Sequence, residues 1–156
     1  MNIRWLFLFV GAWLLTVFAA SAQTSYRVDD SASQVLGSTL RLKPLSPIPR
    51  GPQATLVAGD ITVLVRLDVS PWKGRQGRIY MTLPPQPVAA ITATWSTQGR
   101  LLPGTLRAGE RTLVHAGPIH SDRIEDTLRL TIQADGRKFA RDEQLAFWFE
   151  IDLETP

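Results

Sequence analysis

His115 and His120 are the side chains of this sequence best suited to exchanging protons near neutral pH. His120 is followed by Ser121 and Asp122, which completes the three residue types of a hydrolase triad. Triad members must converge from separate elements, each oriented by the next, and sequence neighbours rarely do so. No Gly-x-Ser-x-Gly elbow occurs either. A zinc site needs three or four ligands in close array. Here the two imidazoles could be joined only by Asp122, Glu125 or Asp126, and the gap between them spans the Gly117-Pro118 turn. No metal, cofactor or catalytic set is therefore expected, and His115 reads as a half-buried or surface strand residue. The acid pairs Asp29-Asp30, Glu125-Asp126 and Asp142-Glu143 read as solvated turns rather than a glycosidase pair, which needs two carboxylates facing one cleft. No calcium-loop spacing of acids surrounds Asp135-Gly136.

The aromatic residues offer binding chemistry instead. In the stretch from Ser70 to Arg78, Trp72 stands beside Lys73, Arg75 and Arg78 with Gly74 and Gly77 between them. Indole supplies a stacking face and cations supply charge, a combination suited to an anionic ligand or a sugar. The competing reading is a connection in which a cation stacks on its own tryptophan. Trp95 alternates with Ile91 and Ala93 and belongs to a core face. Trp148 alternates with Ala146, Glu150 and Asp152, opposite Phe147 and Phe149.

Strands must position these groups, because hydrophobicity alternates with period two along most of the chain. Ile61, Val63, Val65, Leu67 and Val69 share one face of the clearest strand. Strands are also expected over Val35 to Leu42, Arg78 to Leu83, Ile91 to Ser96, Leu101 to Leu106, Arg111 to Ala116, Asp126 to Ala134 and Leu145 to Leu153. Asp135-Gly136 sits where a two-residue hairpin turn needs positive φ, with Arg137 to Ala140 returning from it. The four prolines between Pro44 and Pro52 stiffen a connection or sheet edge. Helical periodicity is confined to one turn at most, over Ser121 to Asp126.

A basic start, Asn2-Ile3-Arg4, precedes an apolar run from Trp5 to Ala20 and the small residues Ala20-Ser21-Ala22. The run is shorter than the roughly 20 residues a spanning helix wants. Residues 1–22 thus read as a cleavable export signal, and intact mass of the exported protein is expected to begin at Gln23. Retention of residues 1–22 in a membrane fraction would refute this. Destination is periplasmic, secreted or cell-surface, with no membrane span after cleavage. Absence of cysteine excludes a lipoprotein and any disulfide. Formal net charge is +3, one unit of it from Arg4, and acids are interspersed with the bases. Nucleic acid is not an expected partner.

These readings converge on an all-β chain, a single immunoglobulin-like two-sheet antiparallel sandwich of about 7–9 strands, with a small β-barrel as the alternative. Residues 23–34 form a flexible N-terminal arm and residues 35–156 the sandwich. The function expected is that of an exported, non-enzymatic module with a structural or binding role in a bacterial-type envelope or surface assembly. Its partner would be another envelope or surface protein. One alternative is a carbohydrate- or polyanion-binding domain using Trp72, Lys73, Arg75 and Arg78, with Trp148. A second is a hydrolase using His115 or His120 with a nearby acid.

Overall fold

Alternating side chains bury one face of a strand only if a second layer covers it, and two sheets do so here. The computed structural model describes residues 24–37, 40–45, 51, 55–85, 91–137 and 146–154. Residues 1–22, expected to be an export signal, most of the proline-rich stretch, residues 138–140, Asp142-Glu143 and Leu145 lie outside the described residues. Ten strands are assigned, β1 (Ser25–Val28), β2 (Gln34–Leu36), β3 (Lys43–Pro44), β4 (Leu56–Asp68), β5 (Gln76–Thr82), β6 (Thr92–Thr97), β7 (Gly104–Arg107), β8 (Arg111–Pro118), β9 (Arg123–Asp135) and β10 (Trp148–Leu153). Among the described residues no helix is long and apolar enough to cross a membrane.

One sheet has the order β1-β10-β5-β8 and the other β2-β4-β9-β6-β7, with β3 also on β4, and every pairing is antiparallel. Successive strands from β4 onward repeatedly cross between the sheets, and the first strand pairs with the last. This is the winding of a jelly roll. The likeness to an immunoglobulin domain lies in the two-layer architecture and does not extend to strand order. The sides are stitched as well as stacked. The Asp68 amide donates to the Asp29 carbonyl at 2.9 Å, and the Leu102 amide to the Val114 carbonyl at 2.7 Å. The barrel alternative survives only in these lateral bonds.

The expected alternation is realised in the core. Val65, Leu67 and Val69 face Ile79, Met81, Phe149 and Ile151 across the layer, and Ile91, Ala93, Trp95, Leu128, Leu130 and Ile132 are buried with them. Trp95 also donates its indole N–H to the Leu102 carbonyl at 2.9 Å, which satisfies the one polar atom it takes inside.

Four local expectations need correction. Within the arm, residues 25–28 are not flexible but pair with β10, and Val28 is fully buried. Two alternating residues, Tyr26 and Val28, sufficed because a ready edge was available. Secondly, Gly136 does not adopt positive φ. Its amide donates to the Thr55 carbonyl at 2.8 Å, beside the last β4–β9 pair, Leu56 with Asp135. Thirdly, Ser121 to Asp126 is not helical, since β9 begins at Arg123. Of the expected first strand, Val35 to Leu42, only the beginning is strand, as β2 on β4, and the described residues 40–42 are not, with β3 starting just beyond them.

Candidate functional site

The stretch around Trp72 is a crossover between sheets, carrying the chain from β4 to β5 at one end of the sandwich. Pro71 starts a single 3-10 turn over Ser70–Trp72. Asp68 anchors it by accepting from the Ser70 hydroxyl at 2.6 Å and the Ser70 amide at 3.0 Å. Those bonds, the hydroxyl's first, hold the Asp68 carboxyl below the usual carboxylate range. Gly74 takes φ of 81°, where a side chain would be strained.

Internal contacts use most of the groups expected to bind a ligand here. Trp72 is half-buried against the core, and its ring centroid lies 6.2 Å from that of Tyr26. Lys73 pairs with Asp122 at 2.9 Å, and Arg78 with Glu154 at 3.0 Å. Arg75 is exposed, and none of the ion pairs among the described residues involves it. The four residues therefore do not present one face, although all belong to the same end of the fold.

The histidines come to that end too. The Gly74 amide donates to the Ile119 carbonyl at 2.8 Å, and the Ile119 amide donates to the Arg75 carbonyl at 2.9 Å. The Trp72 crossover and the β8–β9 connection are thus zipped together. Against expectation, His115 and His120 line one open cleft of about 380 Å³, together with Arg100, Pro118, Ile119, Ser121 and Ile124. A β-bulge makes this possible. The register slips between Ile79 and Tyr80, so that Leu113 stays opposite Tyr80 while His115 falls opposite the core residue Ile79. His115 Nε2 is buried with no hydrogen-bond partner. Burial above all, then the charges of Arg100 and His120, push the His115 imidazole below its ordinary 6.5. No carboxylate is among the lining residues, so the cleft lacks the acid that would orient an imidazole for hydrolysis. Among the described residues no three potential metal ligands come together.

Asp126 was misplaced by the turn reading. It lies inside β9 at 5 % exposure and accepts from the amides of Gln98, Leu101 and Thr127 at 3.2, 2.8 and 2.7 Å. The carboxylate thereby fixes the β6–β7 connection, the segment that brings Arg100 to the cleft. A Cβ on Gly99 would approach the Asp126 carboxyl carbon to 3.0 Å, so a glycine is needed for this close approach. The sequence signal was present but faint, an acid in phase with Ile124, Leu128 and Leu130.

A second constellation occupies the outer face of the β1-β10-β5-β8 sheet, towards the other end of β10. Arg27 lies over the Trp148 ring at 5.5 Å, and Trp148 donates its indole N–H to Glu150 at 2.7 Å. Arg111 lies over the Tyr80 ring at 4.2 Å and reaches Asp152 with both guanidinium nitrogens, at 3.2 and 2.9 Å. Asp152 is only 1 % exposed. The face opposite Phe149 is thus half-covered by its own side chains, where the sequence implied a solvated strand surface. Trp148 does not share a surface with the Trp72 crossover.

No protein family matches the chain, and no curated protein matches it. Among solved structures, that of TmCBM61 in complex with β-1,4-galactotriose is similar over 85 % of each chain, at 11 % identity and a TM-score of 0.24. A likeness of that size carries no argument about fold or ligand, and the functional reading rests on the side chains described above.

Proposed function

We propose that this chain is an exported, non-enzymatic β-sandwich module that binds a protein partner in an envelope or surface assembly. The observation that carries the reading is the outer face of the four-stranded sheet. Trp148, Tyr80, Arg27 and Arg111 stand together there, held by Glu150 and the buried Asp152. Tryptophan, tyrosine and arginine are the residues that dominate protein interfaces. Here their rotamers are already fixed by stacking and by bonds to carboxylates, so little conformational freedom remains to be lost on binding. Both ring faces carry a guanidinium, which favours a partner that meets arginine heads over a neutral sugar that would need bare rings. The positive content of the histidine cleft supports binding over hydrolysis as well.

A photo-reactive side chain at Leu113, half-buried and opposite Tyr80, tests this reading. Envelope preparations should yield a discrete protein adduct from position 113 and none from Gln133, which is exposed on the other sheet. The adduct should disappear in the Arg111→Ala/Trp148→Ala double variant. No adduct at 113, or equal adducts from both positions, would overturn the proposal.

The carbohydrate- or polyanion-binding reading draws support from a different place. Arg75 and Arg100 bring cations to the crossover end beside two imidazoles, while the neighbouring Lys73 is neutralised by Asp122.

A further inference from the structure

We propose that the cleft between the β6–β7 and β8–β9 connections is an anion site that takes a phosphate or sulfate group on Arg100, His115 and His120. This site is separate from the outer sheet face and does not depend on the protein partner proposed there. Three observations point to it. All the ionisable side chains lining the cleft are basic, whereas acids accompany bases almost everywhere else on the described surface. His115 lines the cleft, and its buried Nε2 finds no hydrogen-bond partner among the described residues, so nothing there fixes the imidazole in its present setting. Pro118, Ile119 and Ile124 supply an apolar wall, against which a charge-assisted hydrogen bond gains strength because water is fewer.

The chemistry selects the ligand class. Arg100 offers donors in a planar fork and a permanent charge. An imidazole offers one N–H when neutral and two when protonated. Arg100 accepts no hydrogen bond and a protonated imidazole accepts none either, so a cationic ligand finds no counterpart once the histidines are charged. Ser121 is not counted as a donor, because its hydroxyl already donates to the Arg123 carbonyl at 2.7 Å. A tetrahedral oxyanion presents acceptors in several directions and suits donors arriving from two separate connections.

The site should tighten as pH falls. The charged groups on the elements around His115 are Arg100 from the β6–β7 connection, His120, Asp122, Arg123, Glu125 and Asp126 from the β8–β9 connection and β9, and Lys73, Arg75, Arg78 and Glu154 around β5. Asp126 is occupied by three amides, and Lys73, Arg78 and Arg123 pair with Asp122, Glu154 and Glu125. Arg100, Arg75 and the histidines remain to act on the cleft. Without a ligand, burial first and then the cationic neighbours disfavour a protonated His115. An anion between them opposes the second of these effects, so proton uptake by His115 and anion binding assist each other.

The test follows the His115 and His120 ring protons by NMR in the exported chain, titrated with inorganic phosphate and separately with dextran sulfate. Phosphate should raise the titration midpoint of His115 from its depressed position, and binding should strengthen as pH falls through that midpoint. Arg100→Gln, an exposed substitution, should raise the midpoint in ligand-free protein and weaken phosphate binding about tenfold or more. A response to phosphate alone assigns a free anion, and a response to dextran sulfate alone assigns a polymer-borne group. Unmoved histidine resonances with both probes, or an Arg100→Gln response equal to the parent's, would overturn the site.

Discussion

Asp126→Ala should destabilise the domain by about 3 kcal/mol in denaturant melts, the largest loss expected from any polar substitution here. The side chain is buried and accepts from three amides, of which the Leu101 N–H at 2.8 Å is itself buried. Removing the acceptor strands that donor at a cost of about 1–3 kcal/mol, and the half-buried amides of Gln98 and Thr127 add smaller amounts because water can reach them. Asp126→Asn should recover part of the loss, since an amide oxygen replaces one of two acceptors while its NH2 faces a donor. Because the same carboxylate holds the connection that carries Arg100, Asp126→Asn should also reduce phosphate affinity while the fold persists. A melt of Asp126→Ala within about 0.5 kcal/mol of the parent, the range of ordinary surface changes, would show that the connection does not depend on this carboxylate.

Phe149→Ala should cost about 3–5 kcal/mol, as truncations of buried aromatics do. Phe149 is 4 % exposed, pairs in register with Met81 on one side and Val28 on the other, and adjoins a pre-existing cavity of about 210 Å³. Truncation merges new empty volume with that cavity, and neighbours cannot collapse into it without breaking two ladders. Phe147, half-buried at the rim of the same cavity, should cost less. Trp148→Ala should cost about 1–2 kcal/mol, reflecting the lost bond to Glu150 and the stack under Arg27 rather than core volume. Equal losses for Phe149 and Trp148 in guanidinium melts would mean that both faces of β10 are load-supporting core, and the outer face could not then be a free binding surface.

These two substitutions differ in how visible they were beforehand. Phe149 was legible from alternation alone, because Phe147, Phe149, Ile151 and Leu153 repeat every second residue and a strand turns such residues to one side. Asp126 stands in phase with an equally clear pattern, yet its burial depends on amides 25 and 28 positions away in the chain. A carboxylate is tolerated inside only where donors meet it, and nothing within β9 says that they will.

The histidine cleft shows the same division. The residue types and the Gly117-Pro118 turn are local, and they gave no reason to expect the two imidazoles in one cleft. Their convergence needed the bulge between β5 and β8, which depends on how two strands separated in the chain by two others choose their register. It also needed the two backbone bonds that zip Ile119 to the Trp72 crossover. Likewise, Trp72, Lys73, Arg75 and Arg78 formed a plausible ligand loop as neighbours. Asp122 and Glu154, brought in by other elements, take two of its cations, and Tyr26 takes up its aromatic ring.

By itself the sequence determined most of the strands, their inward faces and the all-β class, because period two and turn residues act within a few positions. Tertiary structure alone decided the jelly-roll order, the docking of residues 25–28 on β10, the burial of Asp126 and Asp152, and the meeting of Arg100 with two histidines. Each of these is a pairing between distant segments, settled by which edges and donors are left to be satisfied when the sheets close, and no local pattern encodes that choice.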